Sequence, residues 1–167
     1  MKKLIALVLV LMMMVPFAMA EEVKLGQVQF AAHGTKCFAV ITVAMQGDVI
    51  ADVLIDEFQP MAAATSVGVP NSETIFAALA AEGKVLASKV VNAAQYSANM
   101  QKAGSTIALD VNYKALEDFA TGKTIAELEA ALEGQTKEAM VDAVTGCTLV
   151  DALGYLQGIL AAAKAAK

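Results

Sequence analysis

Residues 37–58 read CFAVITVAMQGDVIADVLIDEF, two runs dense in Phe, Val, Ile and Thr on either side of Gln46-Gly47-Asp48. Residues of that kind fit a pleated, half-buried surface, and a glycine-containing break between two such runs is a hairpin signal. A strand over Cys37–Met45 and a second from Val49 to about Phe58 follow. Upstream, Glu21–Phe30 alternates weakly (Val23, Leu25, Val28, Phe30) and reads as a first strand, with His33-Gly34-Thr35-Lys36 as a turn. Downstream, Gln59–Pro70 holds two prolines and reads as a loop. Asn71 or Ser72 then caps a short helix over Glu73–Ala81, closed by Gly83. Val85–Val91 fits helix or strand, and Ala93–Lys102 fits loop or helix. Thr106–Val111 looks like a strand and Tyr113–Ala120 like a helix. Thr124-Ile125-Ala126-Glu127 matches a capping box, whose helix is expected to run to about Glu133 before Gly134. The region through Asp142–Thr148 reads as a loop into a final helix, Leu149 to about Ala163. There Leu149, Leu153, Leu156 and Leu160 make one apolar stripe. Strands come early and helices late, which predicts an α+β domain: a small antiparallel sheet packed with several helices, the last of them long.

The first twenty residues carry a separate message. Lys2 and Lys3 precede an apolar run from Leu4 to Val15, Pro16 breaks it, and Ala18-Met19-Ala20 is a small-x-small pattern ahead of Glu21-Glu22. This is the layout of a cleavable secretion signal, too short to span a bilayer comfortably. The expected organisation is a signal peptide over 1–20, a single domain over 21–167, and a mature protein in the periplasm or outside the cell.

The chain has 12 basic and 17 acidic residues, a formal charge of −5; residues 1–20 hold two of the lysines and no acid, so the mature charge is −7. Arginine is absent, so the clustered cationic forks that track a phosphate backbone are missing, which argues against nucleic acid as a partner. Cys37 and Cys147 are the only cysteines. One pair makes no disulfide framework; each fits an ordinary small buried residue, and pairing in an oxidising compartment stays open. His33 is the only histidine, which precludes a histidine-built metal cluster and leaves little for nucleophilic catalysis. Asp56 and Glu57 are neighbours on a strand and point to opposite faces, one inward and one to solvent. Neither GxGxxG nor a P-loop occurs.

Asp142-Ala143-Val144-Thr145-Gly146-Cys147-Thr148 is the segment with chemical content. It is a glycine-containing turn with two threonine hydroxyls ahead of a helix, whose N-terminus favours a phosphate. Gly146 permits a tight bend and close approach by another molecule. On these grounds alone, a plain helix cap by Thr145 or Thr148 is the favoured reading.

The same seven residues resemble the Asp-x-x-Ser/Thr-Gly-Ala-Thr signature of the FMN-binding domain family. That family includes the C subunit of the sodium-pumping NADH:quinone oxidoreductase, the G subunit of the Rnf complex and exported flavin carriers. Weaker likeness extends over His33-Gly34, Asp56-Glu57-Phe58-Gln59, Tyr96-Ser97 and Gly122-Lys123-Thr124. The resemblance implies FMN esterified through its phosphate to Thr148 by a flavin transferase that uses FAD and magnesium. Asp142, Thr145 and Gly146 occupy the other signature positions, and Cys147 stands where the family usually has alanine. Phe58, Tyr96 and Met100 become candidates to pack on the flavin ring, beside the plainer role of core packing. The implied function is a single-domain electron carrier rather than a stand-alone enzyme. Its donor or acceptor would be a quinone-linked membrane complex, an exported reductase or a cytochrome. The alternatives are a non-redox binding module that keeps the fold without flavin and, less supported, a self-sufficient flavin reductase, for which no nicotinamide-binding signal appears.

Overall fold

The hairpin expected from residues 37–58 is the centre of the sheet: β2 (Phe38–Gln46) and β3 (Val49–Ala62) pair antiparallel in the computed structural model, which describes residues 21–72 and 77–167. The expected signal peptide and the start of the helix expected over 73–81 lie outside the described residues. Gln46 pairs with Val49, leaving Gly47-Asp48 as a two-residue turn with Gly47 at φ 57°. A positive φ at the first turn position suits the twist of the flanking strands and is free of Cβ strain only for glycine. Strand β1 (Val23–Phe30) pairs with β2, and β4 (Lys84–Ser88) with β3, giving an antiparallel sheet in the order β1-β2-β3-β4.

The inner face follows from the period of two. Ala39, Ile41, Val43 and Met45 of β2 are buried, as are Val53, Ile55 and Glu57 of β3. Ile50 is also buried although it stands three residues before Val53, because the register shifts between Ala44 and Met45 and absorbs the extra residue.

Strand β3 runs on through Pro60, where the sequence suggests a loop. Pro60 pairs with Leu86, whose carbonyl accepts from Val69 N–H (2.8 Å) on the side away from β3. The Pro60 nitrogen therefore also faces away from β4, and β2, which starts opposite Phe58, does not reach it. The missing N–H removes no ladder bond.

Six described helices follow or interleave: α1 (Ala77–Ala81), α2 (Ala93–Lys102), α3 (Leu109–Ala120), α4 (Ile125–Leu132), α5 (Lys137–Ala143) and α6 (Ala152–Lys164). The architecture is α+β, as expected. Among the described residues no helix is long and apolar enough to cross a membrane. The capping box is present: Thr124 Oγ1 accepts from Glu127 N–H at 3.2 Å, and Glu127 accepts from Thr124 N–H at 2.8 Å.

Three local expectations are corrected. Thr106–Val111 is not a strand, since α3 starts at Leu109. The helix buries Leu109, Asn112, Tyr113, Leu116 and Ala120, a helical period that overrides the β-branched residues before it. The loop expected before Asp142 instead contains α5, started by Thr136 Oγ1 accepting from Ala139 N–H. The final helix starts at Ala152 rather than Leu149, after a tight turn in which Ala152 N–H bonds Leu149 carbonyl at 3.0 Å.

Its buried face also differs from the leucine stripe. Ala152, Tyr155, Leu156, Gly158, Ile159, Ala162 and Ala163 are buried, while Leu153 and Leu160 sit at the margin. The cause is close approach. A Cβ placed on Gly26 of β1 would lie 1.9 Å from Ala162 carbonyl oxygen, and one on Gly154 would lie 2.5 Å from that of Ala32. Helix α6 rests directly on β1 and β2 because small residues line the contact.

Candidate functional site

Helix α5 brings the chain to the 144–151 loop. Asp142 is exposed on its last turn, Val144 is buried, and Gly146 turns the backbone at φ 87°, a conformation that favours glycine. Cys147 N–H then bonds Val144 carbonyl at 3.0 Å and its side chain is buried. Burial pushes the Cys147 thiol up, against a lowering contribution from the Leu149 amide. Both cysteines are free thiols.

Thr148 is exposed. Its N–H donates to Asn112 Oδ1 at 2.7 Å, and its hydroxyl approaches the same oxygen at 3.3 Å. Leu149, Val150 and Asp151 separate it from the first turn of α6. The residue at the tip of α6 is Asp151, whose carboxylate accepts from His33 Nδ1 (2.6 Å) and from Lys137 rather than capping the helix. Desolvation alone would raise Asp151; Lys137 and His33 together hold its carboxyl below the usual range.

Beside the loop lies an open cleft of about 660 Å³. Thr145 and Gly146 form part of one wall, and the outward face of α3 forms the other, with Val111, Ala115 and Phe119 as its apolar floor and Lys114 among its polar residues. Lys114 pairs with Asp118 one turn on. The Lys123 ammonium lies over the Phe119 ring, 4.4 Å from its centroid. Thr148 is two residues beyond Gly146, a chain reach of about 7 Å.

The aromatic residues expected near a flavin ring lie elsewhere. Phe58 stacks on Phe38 (centroids 5.7 Å apart) and lines a separate apolar cavity of about 250 Å³ with Val67, Val69 and Val91. Tyr96 lines a third cavity beside Gln59, Thr65 and Gln95, with the Lys89 ammonium 4.7 Å from its ring centroid. Met100 packs at the edge of the core. Phe119 is the aromatic side chain in the cleft next to Thr145, and nothing in its local sequence marks it out. Asn112 was equally invisible; only the helical period of α3 sorts its inward residues from Val111, Lys114 and Ala115 on the outer face.

The interior holds a second polar cluster. Glu57 Oε2 accepts from Lys89, from Tyr155 (2.7 Å) and from Tyr113 (3.3 Å), while its Oε1 has no hydrogen-bond partner. Asp56, on the opposite face, accepts from Ser88 Oγ at 2.7 and 2.8 Å through its two oxygens. The two adjacent carboxylates therefore do not share a site, as the strand geometry requires.

Chemically, the loop offers the secondary hydroxyl of an exposed residue, with an amide oxygen as its partner. An amide is too weak a base to activate it. Such a hydroxyl does not attack unaided, but it is open to a group delivered by another protein. No family model matches the chain, and no curated protein or solved structure is significantly similar to it.

Proposed function

We propose that the chain is an exported carrier of FMN joined through its phosphate to Thr148, passing electrons in a redox chain outside the cytoplasm. The observation that carries this reading is exposed Thr148, last residue of the Asp142–Thr148 motif, two residues beyond the Gly146 wall of a cleft of about 660 Å³. The residues present fit a flavin. The cleft is of the size that holds a cofactor-sized ligand, and Val111, Ala115 and Phe119 give it an apolar floor. At its margin Lys114 is paired with Asp118 and stands near Asp110, so the apolar floor rather than charge is what suits the ring.

The flavin supplies the electron-transfer chemistry, and the chain's residues hold and orient it. Thr148 would tether it, Thr145 and Gly146 would form one wall, and the face of α3 would shield one side from water. Attachment needs an outside catalyst, because Thr148 has no base beside it. A flavin transferase using FAD and magnesium makes the bond from Thr148 Oγ to phosphorus as the phosphoanhydride of FAD breaks. AMP leaves, and the hydroxyl proton passes to a base of the transferase. A covalent link suits an exported protein, from which a free flavin would diffuse away. Electron donor and acceptor are to be sought among quinone-linked membrane complexes, exported reductases and cytochromes.

Co-expression with a flavin transferase tests the proposal. The expected product is yellow, begins at Glu21, and carries one FMN, less a water, on Thr148 by intact mass and peptide mapping. Thr148→Ala should abolish the increment. A colourless product, under conditions that flavinylate a control domain, would instead favour a non-redox binding module. One observation points that way: the Thr148 N–H is already committed to Asn112, and an aspartate, not a free anion site, stands at the tip of α6.

A further inference from the structure

We propose that Asn112 is the positioning residue for modification of Thr148, an inference that rests on the flavin reading above. Asn112 has no solvent exposure and sits on the inward face of α3. Its side chain uses both ends. Nδ2 donates to the carbonyls of Ile107 (3.2 Å) and Ala108 (2.9 Å), immediately before the helix. Oδ1 accepts from Thr148 N–H at 2.7 Å and faces the Thr148 hydroxyl at 3.3 Å. The reversed amide would set NH₂ against the Thr148 N–H, donor against donor, so the network fixes its orientation.

The carbonyls that hold the amide are themselves held. Leu109 N–H donates to the buried Ser97 Oγ at 2.9 Å, tying the start of α3 to α2. Asn112 is thus a rigid post from α3 that fixes the tip of a loop lying 36 residues further along the chain.

The two bonds to Thr148 differ in a way that suits attack. The N–H bond is short and fixes the backbone. The hydroxyl contact is long for an O–H···O bond and holds its proton weakly. A proton turned inward to Oδ1 leaves the oxygen lone pairs facing solvent, where the transferase presents FAD. In the group transfer the Oγ–H bond breaks, the Oγ–P bond forms and AMP departs. The amide oxygen cannot keep the proton, which goes to a base of the transferase. Afterwards the hydroxyl contact is gone and the N–H bond remains, keeping the phosphoester in place. A displaced reacting atom typically lowers rate by about 10²-fold.

The test uses the full mature chain with a flavin transferase, FAD and magnesium. Asn112→Ala should lower the flavinylation rate about 10²-fold, in kcat rather than in KM for the protein substrate. It should also remove protection of the Thr148 amide from hydrogen exchange, a readout that needs no flavin. Asn112→Asp, which keeps an acceptor toward Thr148, should restore at least about 10-fold of that loss and most of the amide protection. Leu128→Ala, which opens a core cavity at α4 outside the Asn112 network and the cleft lining, controls for general destabilisation and should be flavinylated at the wild-type rate. Asn112→Ala flavinylated at the wild-type rate, or Leu128→Ala as slow as Asn112→Ala, overturns the inference and leaves the flavin reading standing. If Asn112→Ala does not fold, Asn112→Asp decides: a rate no better than that of unfolded chain overturns the inference. A wild-type chain left unmodified beside a modified control overturns the flavin reading itself.

Discussion

Glu57 and Lys89 form an ion pair closed off from solvent, with side chains 0% and 1% exposed. The ammonium bonds Oε2, the oxygen that also accepts from Tyr113 and Tyr155, so β3, the residue just past β4, α3 and α6 converge around one buried carboxylate. Removing one member strands the other's charge in a low-dielectric interior. Lys89→Met is expected to destabilise by about 3–5 kcal/mol, whereas replacing a whole buried pair by apolar residues is far less damaging. Urea midpoints of Lys89→Met, Glu57→Leu and the double variant check this. A double variant as unstable as the two single losses added together would refute the coupling.

The same cluster sets an alkaline limit. Burial and the Glu57 charge push the phenols of Tyr113 and Tyr155 upward. For Lys89, burial alone would lower the pKa, but its hydrogen bond and charge pairing with Glu57 outweigh that and raise it. All three groups hold their protons more tightly folded than unfolded. Their stabilisation is complete below their unfolded values, about 10 for tyrosine and 10.4 for lysine, and is lost as pH rises beyond them. The raised thiols of Cys37 and Cys147 add a loss of their own from about pH 8.5, so stability should be flat from neutrality to about pH 8, decline above it and fall steeply beyond about pH 10. Tyr113→Phe should flatten the fall; an unchanged slope in that variant counts against the assignment.

These two residues also show where the sequence stops being legible. Local features were readable: the Gly47-Asp48 turn and the Thr124–Glu127 capping box need only neighbours in the chain. Glu57 and Lys89 are 32 residues apart, and nothing near Lys89 announces that it is buried. The continuation of β3 through Pro60 depends on a ladder with β4, which no reading of 59–70 alone contains. At the candidate site the split is the same. The Asp142–Thr148 loop was visible as a motif, while its partner Asn112 and the cleft wall of Val111, Ala115 and Phe119 come from another helix. The expected helix tip at Thr148 failed because Asp151 is drawn to His33 and Lys137, groups remote in sequence.

Close packing of α6 on the sheet predicts an order of damage. A Cβ on Gly26 meets Ala162 carbonyl oxygen at 1.9 Å and Ala166 nitrogen at 2.8 Å, both backbone, so the helix itself must move. A Cβ on Gly158 meets Ile41 Cδ1 at 2.4 Å, the far end of a side chain that can rotate. Gly26→Ala should cost at least the 1–3 kcal/mol typical of overpacking, roughly speaking, and Gly158→Ala distinctly less. Thermal midpoints in the reverse order would mean the two glycines are not contact points of this kind.

The cleft and the loop can be separated experimentally. Val111 is 51% exposed on the outer face of α3 and lines the cleft, so enlarging it leaves the core intact. Val111→Trp should fill the cleft and reduce flavin attachment to Thr148 by about 10-fold or more, with a thermal midpoint close to wild type, as surface changes usually leave stability within about 0.5 kcal/mol. Full flavinylation of Val111→Trp, with flavin fluorescence as strongly shielded from iodide as in wild type, would place the ring elsewhere.

Cys37 gives a sharp prediction because its exposure and its chemistry disagree. It is only half-buried at the head of β2, yet its thiol donates to His33 carbonyl at 2.6 Å and its pKa is pushed up to about 11. Desolvation is the main cause and the Glu57 charge the next, while Lys89 acts in the opposite direction. Since the thiolate is the reactive form, at pH 8 a thiol so shifted has roughly 10²-fold less of it than an ordinary cysteine. In a Cys147→Ala background, labelling by a disulfide reagent at pH 8 should therefore be slower than that of glutathione by about that factor. The neighbours provide a sign test. Glu57→Gln removes an influence that raises the thiol and should speed labelling, whereas Lys89→Met removes one that lowers it and should slow labelling further. If both variants shift the rate the same way, changed access rather than charge controls the thiol, and the electrostatic link between Cys37 and the buried pair is wrong.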